Sequence, residues 1–292
     1  MQLTKNFVKA KNPCAGGYKW FLRDHNGQGD YQAVLDALVA DGRVGDACWL
    51  LDQFGPTDAV LRLDEIDASA VVFAGTIEVR MGINVDSVVR AGRGIVAGGG
   101  IRAGESVIAG ENIQSGAQIA SAGLLRAGGD ISAEWGIETA NTLDCAGNAR
   151  AKWDVRAGGK MTVGGHLHAG QDVACDDAIA CGQGLKAGGS VIAAKALSAG
   201  CGIQAGASVD CGEHLAAGWG MIAGEDIRAE GAIRAGEGIQ AQGAITAGPG
   251  HGIYAGLNVR LDAWPVCARV IASERPSQLV SGHWEARELE LA

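Results

Sequence analysis

The chain repeats in units of six residues from Val71 to Gly250. Consecutive hexads read IVAGGG, IRAGES and VIAGEN near the start of this stretch, and IRAGEG, IQAQGA and ITAGPG at its end. The thirty first positions from Val71 to Ile245 are Val, Ile, Leu or Met with the single exception of Ala149, and the register has no insertion or deletion. Such a register predicts a solenoid, in which a short unit stacks on copies of itself.

The pattern within a hexad is typical of a short strand followed by a corner. An aliphatic first position and a small third position share one face of a strand, because side chains alternate between faces. The second position then points outward, and it is often charged, as at Arg102 and Glu138. Glycine is the usual fourth residue, as at Gly104 and Gly224, which indicates a corner that needs either a positive φ or a close backbone approach.

The third positions favour three hexads per coil. At a spacing of 18, the column from Ala97 to Ala241 holds only Ala or Ser, whereas the larger residues fall in the two other columns: Thr139, Cys145, Val163, Cys175, Cys181 and Cys211. We therefore predict a mainly β fold, a single-stranded parallel β-helix with three faces and about ten 18-residue coils, roughly 48 Å long. Its four inward cysteines are predicted to be buried free thiols that behave as small hydrophobes.

Two helices are predicted before the repeat. Apolar residues from Tyr31 to Val39 follow helical spacing after Asp30, a residue typical of an N-cap, and Gly42 is placed to end the helix. The second helix is predicted over 44–54. No structure is predicted for residues 1–28.

We divide the chain into three parts. An α-helical N-terminal cap (1–65) precedes the solenoid (66–261), and a C-terminal cap (262–292) follows where the repeat stops and aromatic residues return. Such caps protect end strands from pairing with another chain. The helices are expected to cover large side chains of the first coil, such as Leu63 and Phe73. A separate recognition module is the alternative for the N-terminal part.

The net charge constrains the partners. A value of −9 over 292 residues argues against nucleic acid, because proteins that bind it neutralise phosphates with clustered Lys and Arg. It is compatible with attraction to a basic protein. The N-terminal sequence has no apolar run long enough for a signal peptide or a membrane span, so we expect no membrane contact and a reducing, cytoplasmic location.

Six apolar residues are the candidate partner-binding residues. Trp135 and Trp153 fall at fifth positions one predicted coil apart and are expected to stack along one edge, whereas Trp219 holds the same position on another edge. The others are the second-position residues Ile108, Ile192 and Ile222. Tryptophan is enriched at binding hot spots. The alternative is that the tryptophans cover the core at imperfect corners.

Other motifs are interpreted as parts of the repeat. Glycine-rich strings such as GRGIVAGGG are not followed by the long helix that a dinucleotide site needs. His166 and His168 are expected to point outward, but the positions one coil before and one coil after them offer no further zinc ligand. We therefore expect no cofactor, no metal and no catalytic residue. Turnover of an acyl-CoA that depends on His166 or His214 would contradict this.

The hexads resemble two families of β-helix. Units such as IRAGES, VIAGEN and ITAGPG, which recur throughout the repeat from Val71 to Gly250, are similar to the cores of bactofilins, right-handed β-helices that polymerise end to end into bacterial cytoskeletal filaments. This resemblance implies right-handed winding and a capacity to polymerise, although bactofilin cores are shorter and have disordered ends. Hexapeptide-repeat acyltransferases are a weaker likeness, because their small residue stands at position five and a protruding loop carries their catalytic histidine.

The expected function is non-enzymatic protein binding. A ladder without insertions offers flat faces and no enclosed pocket, and repeat scaffolds commonly act through extended surfaces. An inhibitor or immunity-type partner of a basic protein is one such role. A bactofilin-like structural polymer or scaffold, assembled through solenoid ends or faces, is the alternative, and a hexapeptide-type acyltransferase is the least favoured hypothesis.

Overall fold

Three parallel sheets surround one apolar core and form a solenoid. The computed structural model describes residues 1–258 and 261–286, and within the three parallel sheets each strand pairs with the strand one coil away. We call the sheets face 1, face 2 and face 3 in the order in which the chain visits them, and the corners edge 1–2, edge 2–3 and edge 3–1. The mainly β, three-faced parallel β-helix is confirmed.

Most described strands span the first three residues of a hexad. In order of stacking, face 1 contains Val60–Leu63, Thr76–Val79, Ile95–Ala97, Ile113–Ser115, Ile131–Ala133, Ala149–Ala151, Leu167–Ala169, Leu185–Ala187, Ile203–Ala205, Met221–Ala223, Ile239–Ala241, Arg269–Ala272 and His283–Ala286. Face 2 contains Ile66–Ala68, Ile83–Val85, Ile101–Ala103, Ile119–Ser121, Ile137–Thr139, Val155–Ala157, Val173–Cys175, Val191–Ala193, Val209–Cys211, Ile227–Ala229 and Ile245–Thr246. Face 3 contains Val71–Phe73, Val88–Ala91, Ser106–Ala109, Leu124–Ala127, Leu143–Cys145, Met161–Val163, Ile179–Cys181, Leu197–Ala199, Leu215–Ala217, Ile233–Ala235, Ile253–Tyr254 and Leu279–Ser281.

The solenoid has about twelve turns, two more than predicted. Strands outside the hexads account for the difference: Val60–Leu63 pairs with the next coil of face 1, and Arg269–Ala272 and His283–Ala286 continue that face at the other end. Strand pairing thus crosses the boundaries that we placed after residues 65 and 261. A strand can join a sheet without the hexad pattern, because the pairing requires only backbone groups. Residues 287–292 of the expected C-terminal cap, together with 259 and 260, lie outside the described residues.

The register places first and third positions in the core. Ile101 aligns with Ile119 one coil later, and Ala103 aligns with Ser121; all four are buried. The hydroxyl of Ser121 donates to the carbonyl oxygens of Glu105 and Leu124, at 3.3 and 3.0 Å. These bonds offset the cost of burying a polar group.

The buried cysteines make the same contact as the buried hydroxyls. Sγ of Cys145 lies 3.3 Å from the carbonyl oxygens of Gly129 and Asn148, and equivalent carbonyls accept from Cys175, Cys181 and Cys211. Burial raises the pKa of Cys145 to about 11, so the thiol stays protonated and donates. All eight cysteines lie among the described residues and are free thiols.

Fourth-position glycines lie where backbones of adjacent coils approach each other. A Cβ on Gly206 would lie 2.0 Å from the carbonyl oxygen of Gly188, and one on Gly224 would lie 1.9 Å from that of Gly206. No fourth-position glycine of the thirty hexads in 71–250 has a positive φ. Close approach is therefore the reason for glycine at these corners.

Residues 1–54 form a helical unit with its own core. It comprises an antiparallel pair of strands and four helices: Gln2–Thr4, Gln28–Asp30, α1 (Lys5–Lys9), α2 (Ala15–Asp24), α3 (Tyr31–Ala40) and α4 (Val44–Phe54). The predictions of α3 and α4 are confirmed. The Asp30 side chain caps α3 by accepting from the backbone N–H of Gln32, and Gly42 and Gly55 follow the two helices with φ of 70° and 77°.

A glutamine of the helical unit closes the free edge of face 3. The side-chain amide of Gln32, in α3, pairs with the backbone of the first strand of that face. Its Oε1 accepts from Ala74 N–H at 2.9 Å, and its Nε2 donates to the carbonyl oxygen of Val72 at 3.1 Å. The amide thus occupies the place of a further strand and blocks that edge against pairing.

The helical unit covers the first coil only in part. Its polar contacts with the solenoid also include an ion pair between Asp52 of α4 and Arg90 of the second coil. Both α3 and α4 pack against the strand Val71–Phe73 of face 3. Leu63, on face 1, consequently stays 46% exposed, and the expectation that the helices bury it is wrong.

A second glutamine closes face 2 at the opposite end. That face ends at Ile245–Thr246, and the side-chain amide of Gln278 pairs with the backbone of Ala247. Nε2 donates to its carbonyl oxygen at 2.6 Å, and Oε1 accepts from its N–H at 3.2 Å. Helix α5 (Trp264–Cys267) precedes the face 1 strand Arg269–Ala272 here. We call Gln32 and Gln278 the amide caps.

Candidate binding face

Two tryptophans stack on edge 1–2. Trp135 and Trp153 follow face 1 strands in successive coils. The ring centroids are 5.9 Å apart, and the angle between the ring planes is 12°. The two residues are 52% and 54% exposed. The stacking predicted from their spacing is confirmed, and both rings remain accessible to a partner.

Trp219 lies on edge 3–1, at the other side of face 1. It precedes the strand Met221–Ala223, whose second residue, Ile222, points outward. Trp219 is 51% exposed, and Ile222 is exposed beside it. With coils about 4.8 Å apart, Trp153 and Trp219 are separated by roughly 18 Å along the rod. All three tryptophans therefore border the same face.

The remaining two candidates lie elsewhere. Ile108 belongs to the face 3 strand Ser106–Ala109, and Ile192 belongs to the face 2 strand Val191–Ala193. The structure thus brings together Trp135, Trp153, Trp219 and Ile222 along face 1, and it separates Ile108 and Ile192 from them. A partner that docks on one face cannot contact all six candidates.

The outward row of face 1 is free of carboxylates over most of its length. Its described members between Glu78 and Glu285 are Val96, Gln114, Ser132, Arg150, His168, Lys186, Gln204, Ile222, Gln240 and Ile271. Arg150 aligns with His168, and His168 aligns with Lys186. We call these three adjacent residues the basic row. The basic row was not predicted from the sequence, because only the inward positions were sorted by coil.

The charges of the basic row are not compensated by ion pairs. Among the described residues, Arg150 and Lys186 are exposed and no carboxylate lies within ion-pairing distance of either. On the other faces, Arg126 pairs with Asp144 at 2.9 Å and Arg228 pairs with Asp226 at 2.5 Å. Burial lowers the pKa of His168, and the neighbouring positive charges of Arg150 and Lys186 lower it further.

A ladder of side-chain acceptors lines edge 3–1 beside the basic row. Each acceptor side chain accepts a hydrogen bond from the backbone N–H of the residue 18 positions later, at 2.7 to 3.2 Å. The acceptors are Asn112, Asp130, Asn148 and His166. On edge 2–3, Nδ1 of His214 accepts from Ala232 N–H at 3.0 Å in the same way. Both histidines therefore link successive coils. Within the described residues, no group of three or more His, Cys, Asp or Glu side chains is arranged to hold a metal ion.

The helical unit is the part of the chain that matches a known family. Residues 1–54 match the YdhT N-terminal domain. This match ends at Phe54, where α4 ends, and does not extend into the solenoid. No curated protein and no solved structure matches the chain. The comparisons and the fold thus establish a β-solenoid of many turns, whereas right-handed winding and the bactofilin likeness stay predictions.

Acidic residues lie on all three edges of the rod: edge 1–2 carries Glu134, Asp154, Asp172, Glu225 and Asp226, and edge 3–1 carries Glu111, Asp130 and Glu237. Residues 1–54 contain six Lys or Arg and six Asp or Glu, so the net charge of −9 belongs to the remainder of the chain. Edge 2–3, opposite face 1, carries six carboxylates: Asp86, Glu105, Asp176, Asp177, Glu213 and Glu230. The basic row and this acidic edge therefore lie on opposite sides of the rod. Among the described helices, none is long and apolar enough to cross a membrane.

Proposed function

We propose that this chain is a non-enzymatic protein-binding solenoid whose partner docks across face 1. The observation that carries the proposal is the position of three half-exposed tryptophans on the two edges of one face. Tryptophan provides much of the binding energy in many protein interfaces. A rigid coil presents these rings with little loss of conformational entropy when a partner binds.

The charge distribution supports a second candidate, an inhibitor or immunity-type partner of a basic protein. Such a partner would be attracted to edge 2–3, where the six carboxylates face solvent with two lysines, Lys160 and Lys195, among them. Opposite charges accelerate association and favour one orientation. The two candidates use opposite sides of the rod, so substitutions on one side distinguish them.

The tryptophan pair provides the direct test of docking on face 1. In quantitative pull-downs from the native lysate, we expect the Trp135→Ala/Trp153→Ala variant to lose its stoichiometric partner, with an affinity reduced by roughly 30-fold or more. The matched control is Ile108→Ala/Ile192→Ala, which removes the outward apolar side chains of a partly buried residue on face 3 and an exposed residue on face 2. Thermal unfolding of both variants should show that the fold is kept, since an aromatic pair contributes about 0.5–1.5 kcal/mol.

Two outcomes of this pull-down would contradict docking on face 1. One is equal capture of the same protein by the wild type and by the tryptophan variant. The other is loss of the partner from the Ile108/Ile192 control to the same extent. If a Glu213→Lys/Glu230→Lys variant alone lost the partner, the basic-protein candidate would replace the docking proposal, because both carboxylates lie on edge 2–3.

A bactofilin-like polymer is the alternative to protein binding, and the amide caps weigh against it. Each cap occupies backbone groups that a second rod would need for end-to-end pairing. We expect the intact chain at micromolar concentration to sediment as one small discrete species and to show no filaments by negative-stain electron microscopy. Long filaments of the intact chain would establish the polymer instead.

A further inference from the structure

We infer that face 1 recognises an acidic, extended peptide segment of its partner through the basic row of Arg150, His168 and Lys186. The inference rests on the proposed function and adds the chemistry of the partner. It differs from the expectation of a basic partner, which follows from the net charge of the whole chain. Local charge at the docking surface, and not net charge, sets the electrostatic complementarity of an interface.

On face 1, basic residues without an ion pair lie in adjacent coils. On faces 2 and 3, Arg126 and Arg228 pair with carboxylates of the same rod. Arg102 and Arg234 form no ion pair among the described residues, but each aligns only with uncharged residues of the neighbouring coils. On face 1, the outward row offers glutamine and serine around the three basic residues instead. Four acidic groups on the bordering edges are already engaged. On edge 3–1, Asp130 accepts from the backbone of Asn148 at 2.7 Å. On edge 1–2, Glu134 pairs with Lys152, Asp154 pairs with Arg156 at 3.0 Å, and Asp172 accepts from the backbone of Ser190 at 2.8 Å.

The spacing of the basic row suits an extended peptide. Parallel strands place successive members of the row about 4.8 Å apart, so Arg150 and Lys186 stand about 9.6 Å apart along the rod. In an extended peptide, alternate side chains project to the same side about every 6.7 Å. Long Arg and Lys side chains can adapt to that spacing, and Arg binds carboxylates with two parallel hydrogen bonds. Trp153 lies three residues after Arg150 at the edge of the face and can pack on the same segment.

A long polyanion does not fit this surface. Binding of nucleic acid depends on many simultaneous phosphate contacts, whereas the basic row has three members. Residues 55–292 carry the whole net charge of −9 and would repel an extended phosphate backbone beyond this patch. A short segment with a few carboxylates fits the row without contacting the acidic edge on the opposite side.

A charge-reversal experiment tests the inference. The probe is a fluorescein-labelled peptide of six Glu-Ser repeats, measured by anisotropy at low ionic strength, with Lys-Ser and Gln-Ser peptides and a single-stranded oligonucleotide for comparison. We expect the wild type to bind the acidic peptide more tightly than the other probes. The Arg150→Glu/Lys186→Glu variant should bind the acidic peptide with an affinity lower by about tenfold or more. The matched control, Arg102→Glu/Arg234→Glu, changes the net charge equally but on faces 2 and 3, and it should alter affinity by no more than about twofold.

Each contrary outcome overturns the inference. Equal weakening in both double variants would show a general charge effect, and an absence of preference for the acidic peptide would show that the row is not selective. Equally tight binding of the oligonucleotide would show that the basic row binds phosphate groups as well as carboxylates and does not select an acidic peptide. The docking proposal is judged separately, by the tryptophan pull-down: if the acidic peptide fails while that pull-down succeeds, face 1 remains the docking surface and only the partner chemistry is wrong.

Discussion

Replacement of Gly206 by alanine is expected to destabilise the solenoid by about 1–3 kcal/mol, the range for overpacking a close contact. The new Cβ would lie 2.0 Å from the carbonyl oxygen of Gly188, and a backbone atom cannot rotate away as a side chain can. The same approach recurs at Gly170, Gly188 and Gly224, at 1.9 to 2.0 Å. A backbone shift that relieved the clash at one coil would therefore shorten the same close contact in the next coil.

The control for this substitution is another glycine in the same chain. Gly45, in α4, has nothing within 4 Å of its missing Cβ, so Gly45→Ala should be neutral or stabilising by about 0.5–1 kcal/mol. Thermal and urea unfolding followed by circular dichroism measures both variants. Other corners hold Glu134 or Ala194 at the fourth position, so a backbone path that admits a side chain exists in this solenoid. An unchanged unfolding midpoint for Gly206→Ala would show that its corner can adopt such a path as well.

Truncation of a first-position side chain is expected to have a comparable or larger effect. Leu197 is fully buried on face 3, between Ile179 and Leu215 in the adjacent coils. Leu197→Ala should cost about 2–5 kcal/mol, because it removes apolar contacts and leaves a cavity that a regular stack cannot close. Each coil contacts only its neighbours, so the defect cannot be shared among distant parts of the core.

The companion variant for Leu197 is an outward residue of similar size. Ile192→Ala, on face 2, should change stability by no more than about 0.5 kcal/mol. Urea unfolding gives both values. If Leu197→Ala costs less than about 1 kcal/mol, the column tolerates gaps, and the natural alanine at Ala149, which is also fully buried, would then be an ordinary member of the core and not an exception.

The repeat made the core and the faces predictable from sequence. A period of 18 assigns every outward residue to a face. Arg150 and Ile222 share a face because their numbers differ by a multiple of 18, whereas the number of Ile192 differs from both by other amounts and Ile192 lies on another face. The same arithmetic could have separated Ile108 and Ile192 from the tryptophans and assembled the basic row. These signals were present in the sequence and required only that the outward positions be sorted in the same way as the inward ones.

The ends were less predictable for a physical reason. Strands such as Arg269–Ala272 and His283–Ala286 join face 1 through backbone hydrogen bonds, which leave no hexad pattern in the sequence. A glutamine that pairs with a strand edge is likewise indistinguishable in sequence from any surface glutamine. Helices α1 and α2 depend on packing within the unit formed by residues 1–54, where Trp20 and Phe21 are buried in a cluster separate from the main solenoid core. Local propensity alone therefore does not define them.

The amide caps also fix the phase of the rod. Each hexad turns the chain through about 120° and advances it by about 1.6 Å, a third of the spacing between strands. Gain or loss of one hexad within the repeat would rotate Gln278, together with the strand end at Ala247 that it closes, by a third of a turn relative to Gln32. Gain or loss of three hexads together would restore the angle and change only the length. Only a whole number of coils therefore keeps the two amide caps in the same angular relation, and the length of the solenoid then changes in steps of about 4.8 Å.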